Sequence, residues 1–200
     1  MDPIAFRKLN ITDERWVGVI DAAAKAANWR PRRAATNVSS GNVVKGRGIA
    51  IGGFANTYTA VIADIELNRK TGKIVAKHLY AAQDAGLAIN PALLEQQMEG
   101  CLVQGTSRAL LEEVRFSETR VTSLDWVTYP ILRYKDSPEV TTIVVNRPDQ
   151  RSSGAGEPTT APVPAAIADA FFDATGVRIR AYPMTPARVR TTVAAAKNSS

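Results

Sequence analysis

Three apolar runs follow one another between Gly46 and Ala82, and Asn90-Pro91 then opens the longest helical stretch of the chain. No other feature restricts the fold as much. Ile49 to Phe54, Tyr58 to Leu67 and Ile74 to Ala82 read as strands, with Asn68-Arg69-Lys70-Thr71-Gly72-Lys73 as the turn between the second and third. Tyr58 to Leu67 alternates toward its end, so one face of that strand is expected to be buried. Asn90 is a good N-cap, and Pro91 suits the first helical position, where no N–H is needed. The helix is expected to run to about Glu113.

The rest of the chain fits around this unit. Asp2-Pro3 reads as a helix start. Thr12 or Asp13 can cap a helix through Asn28, with Trp16, Val19, Ile20, Ala23 and Ala27 as its apolar stripe. Residues 30–45 read as a linker. Val114 to Phe116 and Arg120 to Ser123 are expected to form a strand pair, and Val140 to Asn146 a further strand. A loop from Arg147 to Pro164 leads to a last helix, about Val163 to Thr175, stopped at Gly176. Strands and helices alternate without regular βαβ spacing. The expectation is an α+β (mixed α/β) architecture with a mixed sheet and two main packed helices. It divides into an N-terminal helix and linker over 1–45 and a main unit over 46–200.

Among 200 residues there is one cysteine, Cys101, and one histidine, His78. That excludes an internal disulfide, a zinc site and an iron–sulfur cluster held by this chain. Cys101 is expected to be a small packing residue and His78 a surface strand position. No apolar run is long enough to span a membrane. Met1-Asp2-Pro3-Ile4 has an acid and a proline where a signal peptide needs basic and then apolar residues, so a cytoplasmic location is expected, with a periplasmic place inside a complex left open. The net charge is +6, with basic residues at Arg30, Arg32 and Arg33 and again at Arg178, Arg180, Arg188, Arg190 and Lys197. They read as a solvated face and a basic tail, with an acidic partner subunit as the other use. No recognition motif points to nucleic acid.

Two places carry candidate chemistry. In Gly154-Ala155-Gly156-Glu157-Pro158, the glycines free the backbone for positive φ or for close approach to another group, and Pro158 fixes the next φ. The result is a stiff turn that aims Glu157; no other acid is set up this way. On the long helix, Gln97, Gly100, Gln104 and Ser107 or Arg108 share one face. A helical glycine costs about 1 kcal/mol relative to alanine, so Gly100 and Gly105 imply that something packs against the backbone, either a ligand or a neighbouring element.

The stretch Gly154 to Glu157, then Ala166 to Arg180, then Pro183-Met184-Thr185-Pro186, resembles the C-terminus of the large molybdenum subunit in the xanthine oxidase and aldehyde oxidase family, above all its nicotinate dehydrogenase-like and isoquinoline oxidoreductase-like members. Gln83-Asp84-Ala85-Gly86, Ile89-Asn90-Pro91, Gln97 to Gly105 and Tyr129-Pro130-Ile131-Leu132-Arg133 are similar to further segments of that family. Cys101 departs from it, standing where many members carry glycine or alanine. The resemblance implies a partial molybdopterin-binding domain, the C-terminal part of a hydroxylase of N-heterocycles or aldehydes with water as oxygen source. It implies Glu157 as the base, with Gln97, Gly154 and Gly156 against the cofactor and no metal ligand from this chain. The cofactor is expected in its cytosine dinucleotide form. Implied partners are the remaining molybdenum-subunit segment, an iron–sulfur subunit and an electron acceptor, either an FAD subunit or a cytochrome. The family's Gly-Gly-x-Phe loop, arginine-bearing loop and Gly-Gln-Gly segment are not found, which implies a split-gene subunit or a truncated piece. The alternative is a non-catalytic globular module or inactive remnant.

Overall fold

A computed structural model describes residues 1–31 and 41–197. The linker expected over 30–45, and with it Arg32 and Arg33, falls largely outside the described residues. Asp2 caps helix α1 (Pro3–Asn10), accepting from the Ile4 and Ala5 amides at 2.9 Å each. Of the two expected caps for α2 (Glu14–Ala26), Asp13 is the one used, accepting from the Arg15 amide.

The sheet has the order β1-β2-β3-β4. Strands β1 (Val43–Phe54), β2 (Thr57–Asn68) and β3 (Ile74–Asp84) pair antiparallel, and β4 (Glu139–Val144) lies parallel to β3. The architecture is the expected α+β one with a mixed sheet. All three early strands are longer than their apolar runs, because hairpin pairing carries the ladder through polar and glycine positions. Helix α3 (Pro91–Leu110) stops short of Glu113. The expected strand pair after it is a single bridge, Phe116 to Val121; its apolar residues have no core to join.

Helices cover both faces of the sheet. Val19, Ile20 and Ala23 of α2 meet Ile49, Ala60, Ile62 and Ala82 on one face. On the other, Met98 and Leu102 of α3 and Val163, Ile167 and Phe171 of α4 (Pro162–Thr175) meet Val61, Ala63 and Ile65. Burying one such side chain stabilises by roughly 1.5–3 kcal/mol. Helix α4 lies unusually close to β1. A Cβ at Gly48 would stand 2.2 Å from the Ala170 amide nitrogen and 2.3 Å from the Ala166 carbonyl oxygen. The Gly46-x-Gly48 spacing therefore sets the distance between helix and sheet. Gly105 does the same between α3 and α4, where a Cβ would lie 2.7 Å from Val163.

The sequence pattern predicts no element after Gly176, yet α5 (Pro186–Lys197) follows. Only Val189 and Val193 mark its inner side, too few to show as a stripe. Several of the basic residues are engaged within the chain. Arg178 bonds Asp169 at 2.6 Å and lies over the Phe172 ring, Arg188 bonds Glu113 at 2.9 Å, and Arg190 donates to the Thr71 carbonyl. His78 is half-buried, stacked on Tyr80 with Nε2 2.8 Å from the Thr141 hydroxyl. No described helix is long and apolar enough to cross a membrane.

Candidate functional site

The Gly154–Glu157 turn and Gln97 come together. The turn crosses the end of the sheet just before α4 and rests on the first half of α3. Gln97 Nε2 donates to the Gly156 carbonyl at 2.8 Å, and Cys101 Sγ donates to the same oxygen at 3.1 Å. Cys101 is buried, as expected of a packing residue, but it also caps the turn.

The carbonyls of four successive residues are all taken. Gly154 O accepts from the Thr57 hydroxyl at 2.7 Å, and Gln83 Nε2 reaches Ala155 O at 3.5 Å. Gly156 O accepts from Gln97 and Cys101, and Glu157 O from the Thr160 amide at 2.9 Å. The N–H groups of the same four residues have no acceptor among the described residues. A backbone fixed by its carbonyls, with its amides free, presents hydrogen-bond donors to whatever lies against it.

Of the two uses expected of the turn's glycines, positive φ is not the one seen. Neither Gly154 nor Gly156 has positive φ, and a Cβ on either, or on Gly100, would meet nothing within 4 Å. Of the two helical glycines, only Gly105 serves packing within the chain. A cavity of about 310 Å³ adjoins the turn. Asn90, Gln97, Ser152, Ser153, Ala155 and Gly156 contribute to its lining. Glu157 is exposed, and its carboxylate makes no hydrogen bond or ion pair with any described residue. Gln104 and Arg108 are exposed as well, whereas Ser107 is buried and its hydroxyl accepts from the Leu132 amide at 2.9 Å. The polar face of α3 is thus split between the turn and the Tyr129–Arg133 segment.

Behind the turn lies a buried ion cluster. Asp84 is wholly buried; Arg15 binds both its oxygens, at 2.5 and 3.1 Å, and Arg147 Nε bonds it at 3.0 Å. Burial opposes the charge, but the bonds from Arg15, the Gly86 amide and Arg147 outweigh it and hold the carboxyl below its ordinary range. Sequence reasoning missed Arg15, Thr57 and Thr159. Thr57 and Thr159 are polar yet buried, Thr57 on the strand face that continues with Val61 and Ala63, a burial that only the fold shows. Among the described residues no three His, Cys, Asp or Glu side chains could hold a metal ion.

A family model for the molybdopterin cofactor-binding domain matches residues 21–138, a span that includes Gln97 and ends before Glu157. A nicotinate dehydrogenase subunit from Pseudomonas putida is 36% identical over 199 residues, covering 95% of this chain and 17% of its own length. The beta subunit of isoquinoline 1-oxidoreductase from Brevundimonas diminuta is 29% identical over 187 residues, covering 93% of this chain and 23% of its own. The crystal structure of quinoline 2-oxidoreductase from Pseudomonas putida 86 superposes with a TM-score of 0.64 at 26% identity, over 69% of this chain and 19% of that one. The chain therefore spans less than a quarter of each of these relatives. On the family match and the nicotinate dehydrogenase identity, the chain belongs to the molybdopterin cofactor-binding domain family of the xanthine oxidase and aldehyde oxidase enzymes.

Proposed function

We propose that this chain is the C-terminal portion of a molybdenum hydroxylase that oxidises an N-heterocycle or an aldehyde with water as the oxygen source, Glu157 being the base. One observation carries the reading: Gln97 holds Gly156 at 2.8 Å beside a cavity, with open space where a Cβ would stand at Gly100, Gly154 and Gly156. The residues fit an organic, hydrogen-bonding cofactor. The free amides of 154–157, the Gln97 carboxamide and the Ser152 and Ser153 hydroxyls would hold molybdopterin, and the three glycines leave room for it. Molybdopterin, when bound, supplies a Lewis-acidic metal that activates oxygen and takes up electrons.

The chain's own part is binding and proton transfer. The four engaged carbonyls keep the turn from shifting, and with it the Cα of Glu157. The Glu157 carboxylate, without a partner in the chain, is available to take a proton from a water-derived oxygen. The resemblance of the Gly154–Arg180 stretch carries the cytosine dinucleotide form of the cofactor into this reading. It also carries the division into an N-terminal part over 1–45 and half of a cofactor-binding domain over 46–200.

The remaining molybdenum-subunit segment, an iron–sulfur subunit and an FAD or cytochrome acceptor are its proposed partners. An exposed apolar excursion after α3 supports contact with another segment: Trp126 is 67% exposed and Val127 88%. Exposed apolar patches of this kind mark interaction surfaces. The test is co-purification with candidate neighbouring subunits, followed by molybdenum and pterin analysis. Stoichiometric cofactor in the complex, with turnover lost in Glu157→Gln, is expected. A complex free of molybdenum and pterin, or an active Glu157→Gln variant, overturns the reading.

A further inference from the structure

We infer that Thr159, Gln83 and Thr57 are positioning residues that set the Gly154–Glu157 turn through a buried bracket, and that the single thiol of the chain reports whether the bracket is closed. The inference rests on the proposed role of Glu157.

Thr159 follows Glu157 by two residues. Its hydroxyl donates to Gln83 Oε1 at 2.6 Å, and both side chains are buried, Thr159 at 0% and Gln83 at 2% exposure. The other end of the Gln83 carboxamide faces Ala155 O. One side chain therefore ties down the turn on both sides of Gly156. Thr57, on the neighbouring strand, holds Gly154 and sits 2.7 Å from the Ser153 hydroxyl. These contacts come from buried residues at adjacent strand ends, while Gln97 grips from an exposed position.

The buried members matter most. A buried acceptor left without its donor must turn to find another. Removing the Thr159 hydroxyl frees Gln83 Oε1, and the rotation that follows takes Nε2 away from Ala155. The turn then loses its ties at Ala155 and Thr159, keeps those from Thr57, Gln97 and Cys101, and loosens over α3. Cys101, 3% exposed and bonded to Gly156 O, lies beneath it. No other cysteine exists, so thiol reaction reports on this place alone.

The experiment is the rate at which an aromatic disulfide reagent labels Cys101 in the full 200-residue chain, without denaturant. Thr159→Val and Gln83→Leu are each expected to label at least tenfold faster than the parent. Thr159→Ser, which keeps the hydroxyl, is expected to return to within about twofold. Ile20→Val, in the core on the opposite face of the sheet, serves as a stability control. Unchanged labelling in Thr159→Val overturns the inference. So does an equal acceleration in Ile20→Val at matched loss of stability, which makes the effect general loosening. In the assembled enzyme Thr159→Val is expected to lower kcat with KM little changed; faster labelling with undiminished kcat likewise overturns the positioning role. Failure of the Glu157 reading shows separately, as an active Glu157→Gln enzyme, and leaves the labelling result standing.

Discussion

Arg15 and Asp84 are 69 residues apart in sequence and form a two-point clasp, with Arg15 Nη2 2.5 Å from Oδ1 and Nε 3.1 Å from Oδ2. The clasp ties the helix on one face of the sheet to the strand end that carries the turn. Because the Asp84 carboxyl is held below its ordinary range in the folded chain, the unfolded chain binds the proton more readily. Its stabilisation is fully present above the unfolded value of about 3.9. It is lost as pH falls through the folded value. Urea midpoints measured from pH 7 downward are expected to fall off below about pH 4. In Asp84→Asn that part of the acid slope disappears, and stability at pH 7 drops because two arginines lose a buried partner.

Gly100→Ala separates the needs of the fold from those of the site. A methyl there meets nothing in the chain. The isolated variant should gain about 0.8–1 kcal/mol from helix propensity, seen as a raised urea midpoint. In the assembled enzyme the same methyl should reduce molybdenum content, because it projects from the face that carries Gln97.

Gly48→Ala should do the reverse. Its Cβ would run into the backbone of α4, which cannot retreat without opening the core around Phe171. Overpacking of this kind costs about 1–3 kcal/mol, and backbone contacts place this case at the upper end. Thermal unfolding of the isolated variant measures it, and a midpoint equal to the parent's would contradict the close helix–sheet contact.

Gln97→Ala removes a hydrogen bond in an exposed setting. The loss of stability should be at most about 1 kcal/mol. Cofactor content of the complex after dialysis should fall well below the parent's; full retention would confine Gln97 to the turn.

Glu157→Gln should preserve the turn, whose backbone bonds do not involve the carboxylate, and keep the cofactor. It should lower kcat and kcat/KM together, by about 10²–10⁴-fold. Steady-state kinetics of the assembled enzyme, at equal molybdenum content, checks it.

The legible parts of the fold are those with local chemistry. Asn90-Pro91 announces α3, Gly176 ends α4 in a left-handed conformation, and the Asn68–Lys73 turn lies where its residue types put it. Helix α5 is invisible in the sequence because its burial depends on distant elements and shows in two valines. The site is half legible. Helical spacing points to Gln97, and the family resemblance points to both Gln97 and the turn. Their mutual contact, and the holds from Thr57, Gln83 and Thr159, are not legible, since pairings across the sheet leave no local trace. Gly154 and Gly156 allow either positive φ or close approach to another group; the structure shows no positive φ at either and open space beside both.

The parallel pairing of β4 with β3 has a consequence in time. The hairpins of β1, β2 and β3 close over short turns, but β4 reaches its place only after α3 and the long excursion behind it have been laid down. Closing a loop of that length costs entropy before pairing repays it, and such contacts form slowly. The stretch that follows β4 directly, through Ser153 to Thr159, rests on Thr57 of β2, Gln83 of β3 and Gln97 and Cys101 of α3. Glu157 therefore takes its place on a scaffold whose parts all precede β4 in the chain, and the slow parallel closure is what brings it there.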